Sequence, residues 1–538
     1  MSSLTDYTVN ETPMLMDIRS DTLEPISGVQ GTSNRFVFRL DQAGYLDANS
    51  MLCFKITNPN SNTNTRVNTW NGALGAIKRI TFQVGDYVIN DVVGADIIST
   101  LMNLATQNAT TRNNYSGHYY GNQLWTGVKE STPNTDTYAT ELGGVGSLFV
   151  DPRKSGLNDG DNNANNNGAT INSGIIRTDE ANCKQYGIPL GVILPALRGK
   201  TVPLFLFQDY RILITVEFHD GSEYANDISQ IANVAPNEAT GANAGLCALK
   251  NQLRYNDGSN FVNDISQVGG TAPNLATGAN AGLRSPLNAT SGINFRDVKL
   301  QVDYVIMPSA VQNRDREMTN QQGGYRFDFF DILKVEKQIV AATANTLQEV
   351  EHRIGMDNKE VHKIYMCKQL QGLGAGGVGN KVQQNKWLGR QRIDGMNQEE
   401  YNVNIDGVDI FQDFKFSPAS QFDETANCLG DDIKLDRPFY FNDDNTIHSC
   451  LSPSVAGMLG QYKPLCLDLS NGTGQIVGGG RVIGAYPIIW KYRRKPTGTV
   501  ASKISDISGS MNVNYYVLVS KTAIITSTPK GTNVMISY

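Results

Sequence analysis

Gly372-Leu373-Gly374-Ala375-Gly376-Gly377 satisfies the GxGxxG spacing, whose backbone amides can cradle a pyrophosphate. That chemistry also needs a helix opening at the glycines and an acid further on in a strand-helix-strand unit. The next residues, VGNKVQQNKW, have no apolar helical face, so the glycines read as a flexible loop. Gly199-Lys200-Thr201 matches the end of a phosphate loop, but the first glycine of that motif falls on Leu194. A tight turn is the reading that remains. Asp159, Asp161 and Asn163 imitate the start of a calcium loop, with Ala164 where the glycine belongs and Thr170 where the bidentate acid belongs. They read as a solvated Asn-rich loop.

The five histidines, His118, His219, His352, His362 and His448, stand apart, without HExxH or Cys/His ligand spacing. No GxSxG elbow is present. Carboxylate pairs leave no local signature, so a hydrolase stays among the alternatives. The reading is nonetheless a protein that is not an enzyme, with no catalytic, cofactor or metal residues assigned and no cofactor. Lys491-Tyr492-Arg493-Arg494-Lys495 could touch nucleic acid or an anionic membrane face. Its simpler reading is a strand end with solvated or inter-subunit charges. Sequons at Asn10, Asn108, Asn114, Asn288 and Asn471 read as chance products of an Asn-rich chain.

The elements that would carry these residues are mostly strands. The 538 residues are 40% hydrophobic and only 18% charged, with 52 Gly, 22 Tyr and 19 Phe. A net charge of −6 argues against a broad nucleic-acid footprint. Seven scattered cysteines (Cys53, Cys183, Cys247, Cys367, Cys428, Cys450, Cys466), without CxxC, suggest buried thiols in a reducing compartment. Neither a secretory signal nor a ~20-residue apolar run is visible, so a soluble protein made in a cytosol is expected.

Residues 1–30 are polar and aperiodic and read as an N-terminal arm. Phe36, Phe38 and Leu40 then alternate with polar neighbours, as do Leu52, Phe54 and Ile56, and Ile80, Phe82 and Val84. Val93, Ile97, Leu101 and Leu104 recur at near-helical spacing, which predicts a helix over Val92–Ala105. Residues 106–184 form a long Asn/Gly/Thr-rich excursion.

The stretch Tyr186–Phe218 predicts three antiparallel strands, Ile188–Leu197, Val202–Phe207 and Arg211–Phe218, with Pro189 and Pro203 at strand starts. Beyond it, Asp220–Leu246 recurs at Asp257–Leu283 with 19 of 27 positions identical, which fits a tandem insertion in an exposed loop. Val298, Leu300, Val302, Tyr304 and Ile306 then alternate cleanly, and Gln312–Gly324 reads as a polar connector. Further strands are expected at Tyr325–Val335, Leu347–His352, His362–Met366, Pro438–Phe441, Pro464–Leu469, Val482–Trp490, Asn512–Val519, Ala523–Ile525 and Val534–Ile536. Strand after strand, twice over, implies two tandem sandwiches.

In this order the segments resemble the double-jelly-roll major capsid proteins of eukaryotic double-stranded DNA viruses. That group spans large algal and amoebal viruses, polinton-like viruses and virophages. Ile188-Pro189-Leu190, Gly199, Val202-Pro203-Leu204 and Gln208-Asp209-Tyr210-Arg211-Ile212 are similar to a family segment that closes the first roll. Val302-Asp303-Tyr304-Val305-Ile306-Met307-Pro308, followed by Arg314, Asp315, Arg316 and Glu317, is similar to its strand and Arg-rich stretch. Pro438–Asn442 and Tyr515–Tyr538 resemble segments of the second roll, whereas a HEYLIEQ-like stretch is missing.

The resemblance implies an all-β fold of two tandem eight-stranded jelly rolls with long loop insertions and few short helices. The first roll would span 31–318, with insertions at 106–184 and 219–296, and the second 319–538. It implies a homotrimeric capsomer of an icosahedral virion, assembled in the host cytoplasm or a virus factory. Neighbouring capsomers, penton and minor capsid proteins, and an internal membrane or host surface would be its partners, with no sequence-specific nucleic acid. The competing reading from the residues is a carbohydrate-binding or adhesive β-sandwich.

Overall fold

Alternation of apolar and polar residues commits a strand to having one wet and one buried face, and the computed structural model shows how those faces are closed. It describes residues 17–58, 65–67, 72–99, 180–181, 183, 185–198, 200–219, 225–227, 293–321, 323–343, 345–370, 399–415, 420, 424, 428, 465–470, 479–495, 510–528 and 531–538. The first eight principal strands are β1 (Asp17–Leu23), β2 (Arg35–Leu40), β3 (Met51–Thr57), β4 (Ile77–Val84), β5 (Tyr87–Val93), β6 (Gln185–Pro189), β7 (Ile212–Phe218) and β8 (Asn294–Ile306). The helix Ser309–Thr319 follows. The second set is β9 (Tyr325–Ile339), β10 (Gln348–Ile354), β11 (Glu360–Leu370), β12 (Glu399–Ile405), β13 (Val408–Asp409), β14 (Leu465–Asp468), β15 (Ile488–Arg494) and β16 (Met511–Thr528).

The first set pairs antiparallel as β1-β8-β3-β6 and β2-β7-β4-β5. The second pairs as β9-β16-β11-β14 and β10-β15-β12-β13. Both halves therefore use one order: first, eighth, third and sixth strands in one sheet, and second, seventh, fourth and fifth in the other. That is the jelly-roll arrangement, with each sheet's inner face covering the other's. Short strands extend it. Tyr45–Leu46 continues the β3 side of β8, and Gly531–Ser537 pairs with the far end of β16.

The inward residues are those that alternation singled out. Phe36, Phe38, Leu52, Phe54, Ile80, Phe82, Val298, Leu300, Val302 and Tyr304 are all buried. Rings fill the first sandwich: Phe218 stacks on Phe295 at 4.0 Å, and Phe54 meets Phe218 edge-on at 5.1 Å. In the second, Trp490 stacks on Tyr401 at 5.2 Å with the planes 5° apart.

Several expectations change. Asp17–Leu23, assigned to the arm, is β1, the strand that flanks β8. Strand pairing occupies Val92 and Val93, so the helix over Val92–Ala105 starts only at residue 95, and residues 100–105 lie outside the described ones. The apolar run 188–207 is largely a folded corner. A helical turn at Leu190–Ile193 and 3-10 turns at Pro195–Leu197 and Leu204–Leu206 replace two of the three strands. Pro189 and Pro203 end their short strands instead of starting them. A short apolar run buried all round has no distinguishing period, which is why pattern alone misassigned it. The strand that completes the first sandwich is β8, at its centre, not Tyr186–Phe218.

Gln312–Gly324 is mostly helix, the polar side of a segment that docks Tyr45 Oη onto Asp315 Oδ2 at 2.6 Å. β12 went unrecognised although its buried Tyr401, Val403 and Ile405 alternate, because the residues between them are asparagines, which strands disfavour. The run Val482–Trp490 is two strands, Arg481–Val482 and β15, and Asn512–Ile525 is one long strand. Asn294–Arg296, at the end of the assigned 219–296 insertion, already belong to β8.

Removing the central ring of the first sandwich is expected to be costly. Phe218→Ala should lower unfolding stability by ~3–5 kcal/mol, whereas exposed Arg35→Gln should stay within ~0.5 kcal/mol. Urea unfolding followed by tryptophan and tyrosine fluorescence measures both.

Candidate functional site at the seam between the sandwiches

The residues picked out for chemistry do not converge. Gly372–Gly377, Asp159, Asp161, Asn163, Ala164, Thr170, His118, His448, the five sequons, Pro438–Asn442, Cys247 and Cys450 lie outside the described residues, as does Gly199. So do the two copies of the duplicated segment, except Ala225–Asp227, which pairs with Thr65–Val67. Among the described residues no group of three His, Cys, Asp or Glu could hold a metal ion, and no helix is long and apolar enough to cross a membrane. Cys53, Cys183, Cys367, Cys428 and Cys466 are free thiols, and all but Cys53 are buried.

The basic run on β15 is engaged within the chain. Lys491 Nζ reaches Asp409 Oδ1 at 2.8 Å, and Arg493 Nε reaches Glu349 Oε1 at 2.8 Å. Arg494 is fully buried, donating to Gln348 Oε1 at 2.6 Å and to the Val340 carbonyl at 3.1 Å.

His352 and His362 are structural. His352 Nδ1 lies 2.8 Å from Tyr515 Oη and its Nε2 3.2 Å from the Gln338 carbonyl. His362 Nε2 lies 2.6 Å from Ser520 Oγ, with its ring edge-on to Phe330. Burial pushes both imidazoles below their usual value. Lys337 adds to this at His352, while Glu360 and Asp468 oppose it at His362 and Lys363 reinforces it.

What the fold does bring together is a joint between the sandwiches. The sheet β9-β16-β11-β14 is apolar on both faces. Val361, Ile364, Val513, Tyr515 and Val517 face the second sandwich's own core. Phe330, Ile332, Tyr516 and Leu518, which the register sets on the opposite face, join the core of the first sandwich instead. Against this outer face lie β5 and the Pro195–Leu197 corner. Gly94, just past β5, has φ +75°, and a Cβ there would stand 2.5 Å from Tyr516 Oη, so the close approach requires glycine.

A polar core crosses this apolar joint. Asn90 Nδ2 donates to the Phe330 carbonyl at 2.9 Å and to Asp331 Oδ1 at 3.0 Å, while its Oδ1 accepts from the Ala196 N–H at 2.8 Å. Lys521 Nζ pairs with Asp331 Oδ2 at 2.5 Å, and both side chains are nearly sealed from water. Burial raises the Asp331 carboxyl above its usual value, against the pull of Lys521. Burial alone would lower Lys521, but Asp331 more than offsets it and the net shift is upward. Further out, Lys200 Nζ donates to the Asp328 carbonyl at 2.9 Å, and the Thr532 N–H to Asp209 Oδ2 at 2.7 Å. A cleft of about 790 Å³ opens along the seam between Tyr87, Val93, Leu333, Lys334 and Tyr538. Its charges are largely neutralised locally, Asp91 by Arg79 at 2.6 Å and Asp331 by Lys521, an arrangement suited to a joint.

The joint also sets the direction of the long connections. In the first sandwich Cys183 Sγ bonds the Ile56 carbonyl at 3.2 Å, and His219 Nε2 approaches Asp96 Oδ2 at 3.4 Å. The connections at 58–72, 100–184 and 219–293 therefore leave from one end. In the second sandwich Leu370 pairs with Met511 and Glu399 with Arg494, so 371–398 and 495–510 share an end too. Across the seam Gly94 meets Tyr516, while Tyr210 Oη bonds the Thr532 carbonyl at 2.9 Å near the opposite end of β16. The two loop-bearing ends point the same way.

Sequence reasoning passed over Asn90, Asp331 and Lys521. A signal was present, since Asp331 interrupts FDFFDIL and Lys521 interrupts VLVSKTAII, where a charge must be paired or exposed.

Two outcomes are expected. Asp331→Ala strands the Lys521 ammonium and should cost ~3–5 kcal/mol, whereas the double change Asp331→Leu with Lys521→Met should recover most of it. Denaturant titration of the three proteins checks this. For the histidines, the unfolded chain binds protons near pH 6.5 while the folded chain resists them, so their stabilisation is complete above about pH 6.5 and declines as pH falls below it. The melting temperature should fall between pH 7 and pH 5, and less steeply in a His352→Gln, His362→Gln variant.

No family model and no curated protein sequence matches the chain. Solved structures do. The fold is similar to that of VP54 of PBCV-1, as fitted into a cryo-EM reconstruction of the virophage Sputnik. The TM-score is 0.52 at 9% identity, covering 98% of this chain and 99% of that one. The Sputnik virophage structure aligns with a TM-score of 0.49 at 10% identity over 97% of this chain and 88% of that one. The mavirus major capsid protein gives 0.44 at 9% over 96% and 90%. With the strand order found twice and this likeness to VP54 along nearly its whole length, the chain has the double-jelly-roll fold.

Proposed function

We propose that this chain is a structural major capsid protein that builds trimeric, pseudo-hexameric capsomers of an icosahedral DNA virus shell. The observation that carries the proposal is the repetition of one eight-strand order within a single chain, joined by a buried seam. Two equivalent lobes held rigidly give three chains six similar lobes, and a tile of six lobes packs on a hexagonal lattice. An apolar seam with a paired charge in it suits a part that must keep its shape under load.

The common direction of the long connections supports the same reading. Loops gathered at one end can lengthen without disturbing the sandwich cores. In this reading they form the outward towers that meet neighbouring capsomers and the host surface. The opposite end and the residues before β1 face penton and minor capsid proteins or an internal membrane. The first sandwich with its insertions, starting at β1 and running over 17–318, and the second, 319–538, act as the two lobes. The protein resides in the virion, after assembly in the host cytoplasm or a virus factory.

Electron microscopy of the purified full chain tests the reading. Six-lobed trimeric particles are the expected result. Separate elongated monomers at every salt and protein concentration would overturn it.

A further inference from the structure

The Asp331–Lys521 pair has a chemistry that its role at the seam does not use. A carboxylate and an ammonium are the two halves of an amide, and one molecule of water separates the pair from the bond. In solution the ions win because both are hydrated. Here that hydration is gone, with the Lys521 side chain 6% exposed and that of Asp331 1%. Lys363 and Asp468, another lysine pair, are wetter at 12% and 17%. Desolvation penalises each ion, and condensation removes both charges at once.

The geometry is that of a reacting pair. β9 and β16 lie side by side, with Asp331 opposite Val519 and Lys521 opposite Phe329, so the two side chains meet diagonally on one face. Lys521 Nζ stands 2.5 Å from Asp331 Oδ2, yet Oδ2 has no hydrogen bond, so the contact is not an aligned one. A nitrogen this close to a carboxyl oxygen is ~3–3.5 Å from its carbon, the separation of a near-attack pair. The other oxygen, Oδ1, accepts from Asn90 Nδ2 at 3.0 Å, so a donor already faces the atom on which charge develops during attack. Asn90 is itself fixed, because its Oδ1 holds the Ala196 N–H at 2.8 Å. The Tyr538 ring lies 4.5 Å from Lys521 Nζ and covers it. Burial pushes the Asp331 carboxyl upward, toward the neutral acid that an amine can attack.

We propose that Lys521 and Asp331 condense to an isopeptide bond once the chain has folded. The ion pair of the freshly folded chain is the reactant. Within it the ammonium passes one proton to the carboxylate, leaving a neutral amine and a neutral acid. The Nζ lone pair attacks the Asp331 carboxyl carbon, and the π electrons move onto Oδ1, which faces Asn90. As the carbonyl re-forms, the bond from carbon to Oδ2 breaks, and Oδ2 leaves as water with one hydrogen from the acid and one from the amine. One C–N bond forms, one C–O bond breaks, and nothing is oxidised or reduced, so no co-reactant is needed. The water has an exit through the cleft of about 790 Å³, which both side chains line.

The consequence is mechanical. β9 opens the second sandwich and β16 is the last of its eight strands, so the bond ties the first strand to the last. Tension entering along β9 and leaving along β16 passes through the bond, and the residues between 331 and 521 carry none of it. The unfolded chain also keeps a long closed loop, which lowers its entropy and favours the folded state, as a disulfide would. The Asn90 contact to Oδ1 survives the reaction, since that oxygen becomes the carbonyl of the new amide. None of this depends on the capsid reading.

Mass spectrometry of the full chain, incubated folded and then denatured, tests the bond. The wild type should weigh less than its sequence by one water, about 18 Da. Trypsin should release a branched peptide in which residues 327–334 are joined to residues 504–530, uncut after Lys521. Lys521→Arg preserves an ion pair, but its guanidinium does not condense with a carboxylate. That variant should keep its full sequence mass and melt at a lower temperature than the wild type. A wild type that melts cooperatively yet keeps its full sequence mass after prolonged incubation would overturn the proposal. So would a mass loss that persists in Lys521→Arg or maps to other residues.

Discussion

The β9-β16-β11-β14 sheet is apolar on both faces, and that constraint organises the molecule. One face is covered by the sheet opposite, as in any sandwich. The other, carrying Phe330, Ile332, Tyr516 and Leu518, would expose a large apolar patch if the second sandwich stood alone. The first sandwich covers it with an edge strand and a corner rich in proline and leucine. The lobes are thereby fused through a continuous core, although their only covalent link is the segment containing the Ser309–Thr319 helix.

Apolar contact alone would let the two faces slide, since burial is not directional. The Asn90, Asp331 and Lys521 group removes that freedom. Asn90 spends its amide on three partners from both sides of the seam, and Asp331 has Lys521 within bonding distance in a place where neither could stay charged alone. Gly94 adds a steric stop, because no side chain fits between β5 and Tyr516. The angle between the lobes follows from these few groups. That angle in turn sets both loop-bearing ends in one direction, which is what makes an outward face and an inward face meaningful.

Much of the fold was legible where one face of a strand is wet. RFVFRL, MLCFKIT and the alternating residues of β8 announce themselves, because each second residue meets water and each other meets the core. Legibility failed at two kinds of place. Where residues are buried on every side, as in Leu190–Phe207, no period survives, and turns look like strands. Where a strand is short of apolar residues, as in DIRSDTL, the ladder partner holds it in place, and it lies far away in sequence.

Taken by itself, the sequence determined the class of architecture: strands throughout, two sets of them, and long polar connections that no core could absorb. It did so because side-chain alternation is a local property. The tertiary structure alone decided the joint. Asn90, Asp331 and Lys521 come from positions some 240 and 190 residues apart, and what makes them a site is the desolvation that the seam imposes on them. Charge in an apolar strand is visible in a sequence, but its partner is chosen by the packing of one sheet face against another.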